Sequence, residues 1–208
     1  MIQIENMQGS GHSVTLRRMV VKLGSAVVAG KGGWDEATLG GIADTIKRLR
    51  DRGVEVIVVS SGAIGMGRLA CPAFTARTIP DRQALAAIGQ VGLMHAWKSL
   101  LNPLGLRAAQ LLLTRGDMED RRRYLNARYT LERLMELGAV PIINENDTVT
   151  IEELQFGDND ELSALVATKM RADLLVILSI VDGLHGPDEA GEAKTKGAGR
   201  TRRIDYVE

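Results

Sequence analysis

Along this chain, short runs of β-branched and leucine residues, apolar at nearly every position, alternate with longer stretches whose apolar residues return every third or fourth place. Continuous apolar runs mark strands covered on both faces, and the longer period marks helices with one buried stripe. The runs predict strands at Arg18–Leu23, Val54–Ser60, Leu106–Leu113, Ala139–Asn144 and Asp173–Ser179. The periodic stretches predict helices at Asp35–Arg52, Arg82–Leu101, Arg121–Leu137 and Asn159–Arg171. Gly53 and Gly138 follow two of these helices, where a left-handed C-terminal position favours glycine. Strand and helix in alternation predict an α/β fold with a parallel-rich sheet.

Three stretches fall outside this rhythm. Met1–Arg17 reads as a polar N-terminal extension, without the basic and apolar regions of a secretion signal. Thr148–Phe156 reads as a small hairpin or flap, because polar residues recur every second or third position. From Gly183 onward the sequence turns to Gly, Pro, Lys, Glu and Arg without apolar period, which predicts a mobile loop.

Composition narrows the class. The 208 residues, 45% hydrophobic and 25% charged, fit one globular domain and exclude a disordered or collagenous chain. Lys plus Arg number 26 and Asp plus Glu 26, so no overall field draws the protein to nucleic acid or to an anionic membrane, and phosphate binding must be local. The single cysteine, Cys71, forms no internal disulfide and suits a reducing, cytoplasmic setting. The apolar runs are far shorter than the roughly 20 residues a membrane helix needs.

Candidate chemistry sits mainly in loops that follow strands, where open α/β sheets bind ligands. In Met19–Ser25, a strand delivers Lys22 and then Gly24 and Ser25, a point charge beside small residues whose N–H groups can approach an anion. A snorkelling strand-end lysine would read the same way. In Val59–Gly67, Ser60, Ser61 and Gly62 end a strand and open a helix, which suits a carboxylate or phosphate, or is simply a glycine-rich turn. The chain has neither G-x-x-x-x-G-K-[ST] nor G-x-G-x-x-G. Ile143–Val149 and Phe156–Leu162 gather Asn144, Asn146, Asp147, Asp158, Asn159 and Asp160, amides and carboxylates that fit an ammonium group or act as turn and capping residues. Leu178–Leu184 adds Ser179, Asp182 and Gly183 at another strand end. Scattered histidines and the lone cysteine give no metal-ligand spacing, so no protein-held metal is expected. The charged Met118–Arg128 and the basic Lys194–Arg203 read as a solvated helix face and a tail; no nucleic-acid partner is expected.

Taken in order, VVKLGS, VSSGAIGMG, AAIGQVGLM, LLLTRGDMEDRRRYLNA, PIINENDTV and FGDNDELSALVA resemble the amino acid kinase family over Met19 to Leu184. SSGAI, INEND and GDND together are similar to its glutamate-phosphorylating branch. The resemblance implies a three-layer sandwich of the carbamate kinase-like type and transfer of phosphate from ATP to the side-chain carboxylate of L-glutamate, the first step of proline biosynthesis. Mg²⁺ would ride on the nucleotide. The partners implied are L-glutamate, ATP, further copies of the chain, and glutamate-5-semialdehyde dehydrogenase as the next enzyme.

By position, the resemblance gives Lys22 to the nucleotide phosphates, with Gly24 and Ser25 as N–H donors, Asp160 orienting Lys22, and Ser179 contacting ATP. Ser61, Gly62, Asp147 and Asn159 would receive glutamate. Two features depart from the family pattern. Ile180 stands at a usually acidic position, and no G-[ST]-G-G-M-x-T-K loop occurs, so residues 18–208 read as a kinase domain incomplete at its C-terminal end, without an RNA-binding-like PUA domain. Two further readings stay open, an inactive amino-acid-binding module of this fold and another carboxylate kinase such as one acting on acetylglutamate.

Overall fold

The structure is a computed structural model that describes residues 2–5, 13–30, 33–150, 159–180, 183–187 and 201–204. The chain divides into two compact units, Met1–Leu178 and Ser179–Glu208. In the first, the strands are β1 (Ile2–Glu5), β2 (Ser13–Leu16), β3 (Arg18–Leu23), β4 (Ala29–Gly30), β5 (Gly33–Trp34), β6 (Glu55–Ser60), β7 (Arg107–Leu113), β8 (Ala139–Glu145) and β9 (Leu174–Leu178). The helices are α1 (Ser25–Val28), α2 (Glu36–Asp51), α3 (Ala63–Ala70), α4 (Ile79–Leu101), α5 (Arg115–Glu119), α6 (Arg121–Glu136) and α7 (Asp160–Lys169).

Five strands form one sheet in the order β7-β8-β6-β3-β9, and every neighbouring pair is parallel. Because successive strand side chains point to opposite faces, each strand feeds two cores. Met19, Val21 and Leu23 of β3 join Val56 and Val58 of β6 beneath Leu39 and Ile46 of α2 and Leu93 and Trp97 of α4. Val20 of β3 and Ile57 and Val59 of β6 meet Met118 of α5, Leu131 of α6 and Val166 of α7. Helix, sheet and helix make the three layers expected. Of the predicted elements, β3 has the expected limits, and the other strands and α2, α6 and α7 differ by one or two residues at one or both ends.

Helix α4 begins a turn earlier than its apolar period suggested. Thr78 Oγ1 accepts from the Asp81 N–H, Asp81 caps the Thr78 N–H in return, and Pro80 sits in the first turn, where its missing N–H leaves no bond unmade. Further along, α4 lies directly on the backbone of α3. A Cβ at Gly89 would fall 1.9 Å from the carbonyl oxygen of Ala63, and one at Gly67 would fall 2.0 Å from that of Leu85. Glycine at these two positions lets α4 reach the strand ends.

Within the stretch read as a polar extension, β1 and β2 pair antiparallel, and Leu16 is buried in the core. The second unit has two short strands within the stretch expected as a loop beyond Gly183, whose residues 188–200 and 205–208 lie outside the described residues. Its strands β10 (Leu184–Pro187) and β11 (Thr201–Ile204) pair antiparallel, because backbone pairing does not require an apolar period. The expected flap at 148–156 lies mostly outside the described residues.

Candidate active site at the ends of the parallel strands

The two-residue period of β3 puts Lys22 on the face of Val20, toward α7, which opens with Asp160. Lys22 is 4% exposed, and its Nζ lies 2.5 Å from Asp160 Oδ1. A snorkelling lysine would carry its ammonium into water. This one turns inward over Gly24, where a Cβ would lie only 3.6 Å from Nζ. The Gly24 N–H donates to the Leu178 carbonyl of β9, and its own carbonyl accepts from Val27 and Val28 as α1 begins at the exposed Ser25. Asp160, by contrast, keeps 42% of its side-chain surface open. The pair therefore joins a buried cation to an anion that solvent can reach.

Beside it runs a chain of amides. Asn159 occupies the N-cap position of α7 yet makes no capping bond. Both of its Nδ2 hydrogens go elsewhere, one to Ser61 Oγ and one to Asn144 Oδ1, each at 2.8 Å. Asn144 Oδ1 also accepts from the Glu145 N–H, which fixes the amide's orientation, so its Nδ2 donates to Gln90 Oε1 at 2.9 Å. Four elements meet here: the end of β6, the start of α7, β8 and the middle of α4. Helix capping thus does not explain Asn159. It does not explain Asn144 either, whereas Asn146, whose Oδ1 takes the Thr148 hydroxyl at 2.6 Å, is a turn residue.

The donor directions settle what each end can offer. Ser61 Oγ accepts from Asn159, so its own proton is left to give. With both Nδ2 hydrogens committed, Asn159 can meet a ligand only through its Oδ1 acceptor. Ser61 is held by its N–H bond to the Leu23 carbonyl. Gly62 follows at φ 112°, a left-handed conformation that favours glycine, and a Cβ there would fall 2.6 Å from Val28 Cγ1. The turn itself accounts for this glycine.

Asp147 lines a cavity of about 260 Å³, together with Gln90, Gln110, Glu145 and Leu112. Glu145 is buried, and one of its oxygens takes the Thr150 hydroxyl at 2.8 Å. The sequence-predicted residues therefore fall into three sets within the first unit: Lys22 and Asp160 with Gly24, then Ser61 with Asn159, then Asp147 at the cavity. Ser179 is the first residue of the second unit, and Asp158 and Asp182 lie outside the described residues. Among the described residues no cluster of three or more His, Cys, Asp or Glu could hold a metal ion, and no helix is long and apolar enough to cross a membrane. Sequence reasoning missed Gln90. Its signal was a polar residue in the buried α4 stripe of Ala86, Gly89, Leu93 and Trp97.

Comparison with known proteins places the chain in a family. The chain is 52% identical over 172 residues to the glutamate 5-kinase of Allorhizobium ampelinum, a match covering 81% of this chain and 44% of that protein. It is 51% identical over 172 residues to that of Syntrophotalea carbinolica, covering 82% and 46%, and 50% identical over 177 residues to that of Thermus thermophilus, covering 84% and 48%. The chain spans about half the length of the curated relatives it matches. Residues 17–207 match the amino acid kinase family, and the chain belongs to it.

Proposed function

We propose that the protein to which this sequence belongs transfers the γ-phosphoryl group of ATP to the side-chain carboxylate of L-glutamate, in the cytoplasm, as a first step toward proline. The observation that carries this reading is the buried Lys22 ammonium held by Asp160 beside the amide chain of Asn159 and Ser61. The relatives' shared name, glutamate 5-kinase, supports the choice of substrate.

In this reading a glutamate carboxylate oxygen attacks the γ-phosphorus. The new O–P bond forms as the bond to the β–γ bridging oxygen breaks, and ADP leaves with that electron pair. A carboxylate with an ordinary pKa of about 4.3 is already ionised at neutral pH, so no general base is required. The protein's work is alignment and neutralisation of charge. Lys22 meets the transferring phosphoryl group, Asp160 holds Lys22 in place, and the backbone N–H of Ser25 serves the phosphates; Gly24, expected as a second N–H donor, has given its N–H to the Leu178 carbonyl and instead leaves room for the Lys22 ammonium. The nucleotide would carry Mg²⁺, which would supply neutralisation of phosphate charge when bound. Ser61 donates its hydroxyl hydrogen to a carboxylate, while the Asp147 carboxylate and Asn159 Oδ1 accept from the α-ammonium.

The test is hydroxylamine trapping of the acyl phosphate with Mg²⁺·ATP and, in parallel, L-glutamate, N-acetylglutamate and aspartate. Hydroxamate from glutamate alone is expected. Preference for another acid would reassign the substrate. A melting midpoint raised by glutamate but not by Mg²⁺·ATP, with no hydroxamate, would leave an amino-acid-binding module.

A further inference from the structure

Gln90 is 8% exposed, and its Nε2 finds no hydrogen-bond partner among the described residues. Such a donor is uncommon in a folded chain and calls for a cause. Its orientation is not in question, because Asn144 Nδ2 donates to Gln90 Oε1 and so leaves the two amide hydrogens on the other side. Nor is the position accidental. Gly89, the preceding residue, brings α4 against the α3 backbone at this level. The same side chain lines the cavity that Asp147 and Glu145 border, a volume many times the roughly 30 Å³ of a water molecule.

Gln90, with its unused buried donor, shares the lining of one small cavity with two carboxylates, and together these groups have the polarity of a zwitterion's counterpart. The acids suit an ammonium, and the amide suits an oxygen anion. Resting on the reading of the preceding section, we propose that Gln90 is a specificity residue of the substrate site, where its Nε2 donates to the α-carboxylate of an amino acid whose α-ammonium lies on Asp147. The desolvation of Nε2 is already complete in the ligand-free fold, so an acceptor gains the bond without displacing water from it. Nε2 is closed to solvent, so the cavity wall yields slightly as the carboxylate seats.

The experiment is calorimetric titration of the 208-residue chain, at a pH near 8, with L-glutamate and with L-glutamine, which keeps the amino-acid head and lacks the side-chain carboxylate. Wild type is compared with Gln90→Glu and Gln90→Met. Gln90→Glu retains the acceptor for Asn144 and removes the donor, so its unliganded melting midpoint reports whether the amide chain survives. Loss of one hydrogen bond to a charged group weakens glutamate binding by about tenfold or more in both variants. Weakening in Gln90→Met alone would overturn the proposal in favour of a residue that only positions Asn144. Weakening in Gln90→Glu alone would overturn it as simple charge repulsion, and so would affinities within twofold of wild type in both. Glutamine binding as tightly as glutamate, with the same sensitivity to both variants, would uphold the role of Gln90 while refuting selection of the side-chain carboxylate. Absence of binding by either amino acid to wild type would refute both.

Discussion

The two ends of the same parallel strands carry the same chemical ingredients and use them differently. At the N-terminal ends, Arg18 of β3 reaches Glu55 of β6 at 2.7 Å and the Met170 carbonyl, and Asp173 accepts from the N–H groups of Arg17 and Arg18. These groups are part-exposed, and they close on one another as a clasp. At the C-terminal ends, Lys22, Ser61, Asn144 and Asn159 are all buried, and the amide bonds diverge from Asn159, one way to Ser61 and the other through Asn144 to Gln90, ending at donors that are not used up, the Ser61 hydroxyl and Gln90 Nε2. Burial with unspent capacity is unfavourable for stability alone. The contrast teaches where to look for a ligand: the end that is polar, dry and incompletely bonded.

The sharpest way to break the comparison is Lys22→Met. The methionine fills the same space, and Asp160 stays partly solvated, so the fold should hold while phosphoryl transfer falls about 10²- to 10³-fold, as for loss of one charge-stabilising group. Hydroxamate formation and the Mg²⁺·ATP melting shift check this together. A variant that melts far lower would instead make Lys22 a structural cation like Arg18. Next in size is Gly89→Ala. Its methyl group would overlap the Ala63 carbonyl, so α4 must move off α3, at about 1–3 kcal/mol of stability in chemical denaturation. Glutamate affinity should fall in the same protein, because Gln90 rides on that contact.

Much of this layout was legible before any coordinates. The three inner strands, at Arg18–Leu23, Glu55–Ser60 and Ala139–Glu145, announce themselves because burial on both faces makes their runs mostly apolar, and the part-exposed edge strands β7 and β9 still carry leucine-rich runs. Lys22, Asp160, Ser61 and Asn159 follow from loop chemistry and family likeness; the one expected pairing, Asp160 with Lys22, lies within bonding range, while the bond between Ser61 and Asn159, each expected only to meet substrate, was not foreseen. What stayed hidden depends on contacts distant in sequence. Gln90 and Asn144 are 54 positions apart, and no local period shows that they touch. The short helix α5 escaped because its capping box, Thr114 with Asp117, governs five residues, too few for an apolar stripe to show. The hairpin of β10 and β11 escaped for a similar reason, since strand pairing is a backbone property that a polar sequence does not advertise.

On the clasp side the expected effects are smaller. Glu55→Gln leaves Arg18 its bond to the Met170 carbonyl and exchanges a charged partner for a neutral one at a half-open site. Its loss of stability should stay within about 1 kcal/mol, as for partly exposed ion pairs, and should shrink further in high salt. Glutamate binding should not change. A larger loss, or one that reached the ligand, would mean that the two ends of the sheet are not independent.

The smallest effect tests the clasp by its titration. The Arg18 N–H holds the Asp173 carboxyl below its ordinary value of 3.8; burial opposes this, and the Arg17 N–H and the two arginine charges add to the lowering. A carboxyl whose folded pKa is depressed stabilises the fold at pH values above its unfolded pKa, and that contribution disappears as pH falls through the lower, folded value. Asp173→Asn keeps an oxygen to accept the same N–H groups but cannot titrate. At pH 7 it should therefore be slightly less stable than wild type, by less than about 1 kcal/mol for so exposed a group. Below about pH 4 the two stabilities should converge. Asp35, Asp81 and Asp117 are depressed in the same direction by their Thr38, Arg77 and Thr114 contacts, so wild type will lose stability in acid whatever Asp173 does. Only the difference between the two proteins, measured at each pH, isolates the clasp. A difference that persisted unchanged into acid would show that Asp173 acts there through shape rather than charge.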